Sequence, residues 1–274
     1  MYTKVFCNGS GNSFFLLHRN DFKKINGDDV NIKTLSNFNR TNQVDGVIII
    51  SQLTKDGYTI DYYNCDGTWE TLCVNGSLCA AKYMFNHFIT KNTILFHAGD
   101  GVHTATNDNS QIWISINQPK ILSNDLLIAN YKGSLIDSGS QHFCILVDIC
   151  IEENVIIDGP KIRNHKIFLP KGTNVNFIEK HSSNKIKVFT YEKGVEKFMS
   201  SCGSGSAAAF FYVYGVLKHT LNPLSSPYTI ETPGGNFKIL CSHINNRLIN
   251  WELGFSLSGP VEITYIDNFL SLNL

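Results

Sequence analysis

Two cysteines stand immediately before segments that are typical of helix starts. Cys73 is followed by VNGSLCAAKYMF and Cys202 by GSGSAAAFFYVY, so small residues precede an apolar run in both. The first turn of a helix carries N–H groups without intrahelical acceptors and about half a unit of positive charge, which lowers the pKa of a thiol held there. Such a thiol can take a proton from a substrate or give one to it, which is general acid–base chemistry.

The backbone after each cysteine is suited to binding an anion. We expect the N–H groups of Val74 and Asn75 to bind a substrate carboxylate, as helix N-termini commonly do. Gly203 and Ser204 offer the same groups in the second segment. A carboxylate clamped by both helix ends would have its α-carbon in a cleft between the thiols. One thiolate would then remove a proton from one face while the other thiol protonates the opposite face, which inverts the stereocentre.

The two segments belong to an internal repeat. An offset of 129 positions, which carries residue 73 onto 202, also carries SGNSFFLL (10–17) onto GSQHFCIL (139–146). Two independent stretches with one shared offset predict two similar α+β domains of about 110 to 140 residues each. The boundary is expected near 118–124, and each domain would present one cysteine at one helix start.

Short strands dominate the regions around these helices. Segments rich in β-branched and aromatic residues predict strands at 44–53, 59–65, 111–119, 143–151, 185–192, 236–241 and 261–266. The clearest helices are expected at 76–89 and 205–219, each with an apolar bias and small residues at its start. A β-rich chain with two buried helices is therefore predicted.

Composition excludes several classes of function. The 23 basic and 23 acidic side chains cancel, so neither a nucleic-acid partner nor a membrane surface is indicated. No run approaches the roughly 18 apolar residues of a spanning helix, and we expect a cytoplasmic protein without a membrane segment. The eight cysteines form no CxxC pair, and the nearest neighbours are six positions apart with no histidine at ligand spacing, so we expect reduced thiols and no metal site.

The order of motifs resembles that of the diaminopimelate epimerase family. The matching segments are GSGNSFF, VDGVIII, NCDGTWETLCVNG, SGSQHFCILV, FLPKGTNVNF, TYEKGVEKFMSSCGSGSAA, TPGGNF and GPVEITYIDNF. The resemblance implies cofactor-independent epimerisation of an amino acid without pyridoxal phosphate, and a homodimer. It also implies two pseudo-symmetric domains, each a curved sheet or barrel around a central helix, with the active site in the cleft between them. These domains would be 1–119 with a returning strand in 261–274, and 120–260.

The resemblance also implies roles for individual residues. Cys73 and Cys202 would be the catalytic thiols, and His142 would orient them or relay a proton to them. Lys193 stands where the family has an arginine that holds the distal group of the substrate. The substrate-binding residues implied by matching positions or by their helix-start N–H groups are Asn12, Asn64, Val74, Asn75, Asn174, Glu192, Lys193, Gly203 and Ser204.

Several positions depart from the family's pattern. Ser13 replaces an acidic residue, Val74 a glycine, Leu78 an arginine and Ser140 an asparagine that contacts substrate. Lysine at position 193 keeps the charge but loses the bidentate fork of arginine. These changes retain both thiols and leave the identity of the substrate open.

Three hypotheses follow. The preferred one is epimerisation of LL- to meso-diaminopimelate in lysine and peptidoglycan biosynthesis, with another amino acid on the same scaffold as a variant. The second is a hydrolase or transferase with Cys202 as nucleophile and His142 as base, which leaves Cys73 unexplained. The third is a non-catalytic paralogue that binds an amino acid, which leaves the retention of both thiols unexplained.

Overall fold

The chain forms two compact units in a computed structural model that describes residues 4–20, 43–54, 56–219, 227–241, 243–244, 248–249 and 255–266. The first unit comprises Met1–Ser115 and Ser258–Leu274, and the second comprises Ile116–Leu257. Part of the returning segment expected at 261–274, namely 267–274, lies outside the described residues. No helix in the described part of the chain is long and apolar enough to cross a membrane.

Short strands surround a helix in each unit. Residues 4–115 form β1 (Lys4–Gly9), β2 (Asn12–His18), β3 (Gly46–Ser51), β4 (Gly57–Asn64), β5 (Trp69–Glu70), helix α1 (Val74–His87), β6 (Thr93–Ala98), β7 (Gly101–Asp108) and β8 (Gln111–Ser115). The chain continues with β9 (Lys120–Ile128), β10 (Tyr131–Asp137), β11 (Gln141–Val147), helix α2 (Glu152–Arg163), β12 (Asn174–Ser182), β13 (Lys185–Glu192), β14 (Lys197–Met199), helix α3 (Gly203–Phe210), β15 (Tyr228–Thr232) and β16 (Gly235–Cys241). The remaining strands are β17 (His243–Ile244), β18 (Leu248–Ile249), β19 (Phe255–Ser258) and β20 (Val261–Ile266).

The first unit is a mixed sheet around α1. Strands β1 and β2 form an antiparallel pair, β3 lies parallel to β2, and β4 returns antiparallel to β3. Strand β6 is parallel to β4 and is followed by the antiparallel strands β7 and β8. The late strand β20 pairs with the other edge of β1. Helix α1 contacts β1, β2, β3, β4, β7, β8 and β20, so the sheet curves around it.

The second unit repeats this topology. Strands β10 and β11 are antiparallel, β12 is parallel to β11, β13 is antiparallel to β12, and β15 is parallel to β13. The sequence β1 to β7 with α1 thus corresponds to β10 to β16 with α3. The offset of 129 found in the sequence matches the first residues of β2 and β11, Asn12 and Gln141.

The central helices α1 and α3 are buried because their residues are small or apolar where the sheet approaches. In α1 the segment from Val74 to Ala81 is buried throughout, and α3 is buried at every position except Ser204. Helix α3 contacts β11, β12, β13 and β16. The α+β class, with a sheet around one helix in each unit, is confirmed.

Two helices differ from the sequence expectation. Helix α2 was not predicted, and it packs Val155, Gly159 and Ile162 against its unit. The helix predicted at 205–219 keeps regular α geometry only to Phe210 and continues as a π-helical turn, Phe211–Val216. Consecutive aromatic and β-branched residues crowd the preceding turn of an α-helix, and the wider turn relieves that crowding.

Candidate functional site

Cys73 is the N-cap of α1. Its backbone is extended, with φ −113° and ψ 111°, and the Gly76 N–H donates to its sulfur at 3.4 Å. Its carbonyl accepts from the Ser77 N–H at 2.8 Å. The side chain is half-buried. A sulfur that accepts a backbone N–H at a helix start is favoured as the thiolate.

Cys202 has the same place in α3. Its backbone is extended, and the Gly205 N–H donates to its sulfur at 3.3 Å. The Ser204 hydroxyl lies 3.4 Å from the same sulfur. Cys202 is also half-buried. Both cysteines therefore combine partial exposure with a backbone donor three residues along the chain.

The first unit joins two predicted binding residues at the start of α1. Asn75 Nδ2 donates to Asn12 Oδ1 at 2.7 Å, and both side chains are buried. Val74 replaces a glycine of the family's motif. It is the first residue of the helix, and a helical backbone accommodates its side chain. This start of α1 couples β2 to the helix that carries Cys73.

The second unit gathers a larger set of polar groups, which we call the second-unit cluster: Ser140, His142, Asn176, Cys202 and Ser204. His142 Nε2 lies 2.8 Å from Ser140 Oγ and 3.1 Å from Ser204 Oγ. The two hydroxyl oxygens are 3.2 Å apart. The imidazole is fully buried and connects to Cys202 through Ser204.

Asn176 fixes the orientation of the His142 ring. Its Nδ2 donates to the carbonyl of Gly205 at 2.9 Å, and a carbonyl can only accept. Asn176 Oδ1 therefore faces His142 Nδ1 at 3.2 Å and also accepts from the Thr190 hydroxyl at 3.1 Å. His142 must carry its proton on Nδ1, which leaves the lone pair on Nε2 directed at the serines.

A glycine lets Asn176 come this close to α3. A Cβ added to Gly205 would lie 3.1 Å from Asn176 Oδ1 and 3.2 Å from its Nδ2. The Ser138 hydroxyl adds a further tie by donating to the Ser204 carbonyl at 2.8 Å. The start of α3 is thus held by side chains of its own unit.

His142 is neutral at physiological pH. Burial lowers its pKa to about 4, the charge of Lys193 acts in the same direction, and the hydrogen bond to Asn176 opposes them. The neutral ring is a hydrogen-bond acceptor at Nε2 and a donor at Nδ1.

This histidine gives the second unit a pH-dependent stability. Its folded pKa of about 4 lies below its ordinary 6.5, so the unfolded chain binds more protons between these values. The stabilisation is present above pH 6.5 and is lost as the pH falls toward 4, by about 3 kcal/mol in total. We expect the urea concentration at the unfolding midpoint to decrease when the pH is lowered from 7 to 5 in the wild type. The decrease should be smaller in His142→Gln. An equal pH dependence of stability in His142→Gln and the wild type would contradict the role of His142. The matched control is His97→Gln, at an exposed histidine.

Asn174 organises the loop that carries Lys193. Its Nδ2 donates to the Gln141 carbonyl at 3.0 Å and approaches Ser140 Oγ at 3.4 Å, while its Oδ1 accepts from the Lys193 N–H at 2.8 Å. Glu192 is the last residue of β13 and lies opposite Lys197. The structure thus brings Asn174 and Lys193 together with the second-unit cluster.

Three further positions named in the sequence analysis belong to the first unit. Asn64 ends β4 and its Nδ2 is within 3.2 Å of Thr68 Oγ1 and 3.4 Å of Glu70 Oε1. Leu78, at the position of an arginine in the resembling motif, is completely buried in α1. Ser13, which replaces an acidic residue, donates from its hydroxyl and its N–H to Asp45 Oδ2 at 3.0 and 2.8 Å.

Sequence reasoning missed three members of this network. The sequence does not predict roles for Asn176 and Thr190, and it identifies Ser140 only as the loss of an asparagine. The alternation of Asn174 and Asn176 in TNVNF was the available signal, because residues two apart on a strand share a face. Both asparagines are buried, and Asn176 meets α3.

The remaining cysteines have different surroundings. Burial raises the pKa of Cys79 and Cys144, and raises that of Cys150 to about 12, so these thiols stay protonated. Within the described ranges, no group of three or more His, Cys, Asp or Glu side chains is placed to hold a metal ion.

Comparison with protein families adds sequence relatives. The family model described as diaminopimelate epimerase matches residues 134–256. A diaminopimelate epimerase of Hydrogenobaculum sp. is 32% identical over 222 residues, which are 75% of this chain and 80% of that protein. A diaminopimelate epimerase of Flavobacterium psychrophilum is 31% identical over 221 residues, 81% of this chain and 82% of that protein.

Solved structures share the fold at low identity. A hydroxyproline epimerase from Agrobacterium vitis, solved with bound trans-4-hydroxy-L-proline, superposes with a TM-score of 0.67 at 12% identity, covering 97% of this chain and 90% of that one. A phenazine biosynthesis protein of the PhzF family from Enterococcus faecalis gives a TM-score of 0.65 at 14% identity, covering 98% and 100%. At these identities the likeness concerns the fold alone.

Proposed function

We propose, from the premise that this chain belongs to the diaminopimelate epimerase family, that it converts LL- to meso-diaminopimelate with Cys73 and Cys202 as its two acid–base thiols. As a member of that family the chain is an isomerase. The proposal concerns the substrate and the residues that act on it. It needs no group beyond the protein and the amino acid.

One observation carries the proposal. Each unit begins its central helix with a half-buried cysteine whose sulfur accepts an N–H three residues on, at 3.4 Å for Cys73 and 3.3 Å for Cys202. Helix starts stabilise anions, so each site favours a thiolate and a nearby substrate carboxylate. A pair of equivalent sites suits a reaction that uses an acid and a base of the same kind.

The mechanism moves one proton off the α-carbon and another onto it. The thiolate of one cysteine takes the α-proton, and the thiol of the other protonates the opposite face of the carbon. Afterwards the first sulfur is a thiol and the second a thiolate, so the enzyme is ready for the reverse direction. Inversion requires both thiols to reach the same α-carbon from opposite faces.

The N–H groups of Val74, Asn75, Gly203 and Ser204 are proposed to hold the carboxylate at the reacting centre. Lys193 is proposed to bind the distal acidic group, with Glu192, Asn64 and Asn174 around the distal amine and carboxylate, and Asn12 supporting Asn75. Support comes from the 2.8 Å bond that fixes the Lys193 backbone on Asn174. His142 is proposed to act on Cys202 through Ser204. Cytoplasmic location and a homodimer stay predictions.

A different amino acid on the same scaffold is the second candidate. Two positions favour it. Leu78 is completely buried and replaces an arginine of the family's motif, and a lysine replaces another arginine at position 193. A single positive ammonium holds a carboxylate less rigidly than a guanidinium fork does.

Exchange of the α-proton in deuterium oxide tests the proposal. We expect deuterium to enter LL- and meso-diaminopimelate, with interconversion of the two, and much slower exchange of lysine, glutamate and proline. Faster exchange of another amino acid would transfer the function to that substrate. Stabilisation by diaminopimelate without exchange would support a binding protein and contradict the proposal.

A further inference from the structure

We propose that the Ser204 hydroxyl is a two-position switch, which donates to His142 Nε2 while Cys202 is a thiol and to the sulfur once Cys202 is a thiolate. The inference rests on the proposed function, because it concerns a thiol that must serve as acid in one direction and as base in the other. Ser140 and Asn176 are positioning residues for this switch, since each acts through another side chain.

The first step of the argument is the position of the hydroxyl. Ser204 Oγ lies 3.1 Å from His142 Nε2 and 3.4 Å from Cys202 Sγ, so one rotating O–H can reach either acceptor. A hydroxyl has one hydrogen to donate, and it can serve only one of them at a time. Its direction is therefore tied to the protonation of Cys202.

The second step is the fixed direction of the imidazole. Asn176 Oδ1 holds the proton on Nδ1, so Nε2 always presents a lone pair to the serines. In the thiol form, Cys202 S–H donates to Ser204 Oγ and the Ser204 O–H donates to Nε2. The Ser140 hydroxyl can then donate to Ser204 Oγ, which is 3.2 Å away, and the sulfur of Cys202 keeps its proton.

The third step is the thiolate form, in which Ser140 replaces Ser204 at the ring. Ser140 Oγ is 2.8 Å from His142 Nε2 and accepts from Asn174 Nδ2 at 3.4 Å, so its own hydrogen is available to the ring. The Ser204 O–H can then turn to the sulfur, which also accepts the Gly205 N–H. The proton lost by Cys202 goes to the substrate carbon, and no proton has to be stored on the buried ring.

Neighbouring titratable groups are compatible with this arrangement. Lys193 and Cys144 face the cluster, the latter across Asn176 at 3.8 Å. Burial, with a smaller effect of the Lys193 charge, lowers the pKa of His142, and burial raises the pKa of Cys144, so the ring stays neutral and that thiol stays protonated. The hydroxyl pair is thus the mobile part of the network.

The test measures the alkylation of both catalytic cysteines by iodoacetamide as a function of pH, resolved by peptide mass spectrometry, in full-length protein without substrate. A hydrogen bond to a charged group typically shifts an ionisation by about one pH unit. We expect Ser204→Ala to raise the alkylation midpoint of Cys202 by about this amount and to leave Cys73 unchanged. Ser204→Thr keeps the hydroxyl and should retain the wild-type midpoint.

Two further variants separate the switch from a general disturbance of α3. Ser140→Ala should raise the Cys202 midpoint by a smaller amount, since Nε2 then competes with the sulfur for one hydroxyl. Ser206→Ala is the matched control, because that hydroxyl donates to the Cys202 carbonyl at 2.9 Å and belongs to the same turn. It should leave the Cys202 midpoint unchanged.

Nitrogen-15 spectra of the histidine rings provide a second readout. We expect His142 to show the Nδ1–H tautomer at neutral pH. An Nε2–H tautomer, or equal Cys202 midpoints in the wild type and Ser204→Ala, would overturn the inference. If epimerisation is present while the midpoints do not move, only the switch fails; if the midpoints move without epimerisation, only the proposed function fails.

Discussion

Cys202→Ser is expected to reduce the rate of diaminopimelate epimerisation by about 10³-fold or more. A serine hydroxyl is too weak an acid to ionise at neutral pH, so it cannot supply the anionic base that a thiolate provides. The oxygen still accepts a backbone N–H at the start of α3, so the fold should persist. The remaining thiol, Cys73, can still exchange the α-proton of the epimer that presents its proton to it. The measurement is deuterium incorporation into LL- and meso-diaminopimelate, separated from inversion by chiral chromatography.

Cys73→Ser is the matched variant. It should lose inversion to the same extent while retaining exchange on the opposite epimer. Cys65→Ser, at an exposed cysteine, should leave both rates unchanged. Inversion at wild-type rate in Cys73→Ser or Cys202→Ser, or loss of activity in Cys202→Ser alone, would contradict a pair of acid–base thiols. The second result would favour the single-nucleophile hypothesis.

Asn176→Leu is expected to reduce the free energy of unfolding by about 3–5 kcal/mol. The substitution removes the partners of three groups: the His142 Nδ1–H, the Thr190 hydroxyl and the Gly205 carbonyl. Asn176 is completely buried, and each buried group left without a partner costs about 1–3 kcal/mol. Folded domains are stable by only about 5–15 kcal/mol, so the loss should be evident in urea unfolding followed by circular dichroism.

Graded variants show whether the network is the cause. Thr190→Val removes one of the three bonds and should cost about 1 kcal/mol. The double variant should cost less than the sum of the two single changes, since they share a bond. Asn92→Leu, at an exposed position, should stay within about 0.5 kcal/mol of the wild type. Equal stability of Asn176→Leu and Asn92→Leu would show that the buried amide is dispensable.

The sequence predicted the repeat and much of the architecture. The strand expected at 185–192 has the bounds of β13, and the one at 261–266 those of β20. Strong β-branched and aromatic enrichment made these elements readable from local composition. The cysteines were placed at helix starts by the change from small residues to an apolar run, and both prove to be N-caps.

Helix α2 could not be predicted because its sequence contains residues with low helix propensity. Tertiary packing requires at least one of them. Gly159 and Pro160 both weaken a helix in isolation. A Cβ on Gly159 would lie 2.7 Å from the Tyr191 side chain, so close packing against β13 requires glycine there. The packed unit overrides the local preference, which no short window of sequence reveals.

The roles of Ser140 and Asn176 were equally hidden. Asn176 meets His142, 34 positions away in the chain, and Ser140 meets Ser204, 64 positions away. The family motif identified position 140 only as the loss of an asparagine. In the structure the Ser140 hydroxyl instead contacts His142 and Ser204. Hydrogen bonds between distant strands follow from register, and register is set by the whole sheet.

The cysteine caps imply a compromise between stability and activity. Oxygen side chains cap helices better than sulfur does, and a good cap contributes about 1 kcal/mol. Both central helices forgo that advantage at the residue proposed to supply the reactive sulfur. The variant with serine at both positions should therefore have a melting temperature at least as high as that of the native protein, and no epimerase activity. This is the expected result where selection has favoured activity over stability.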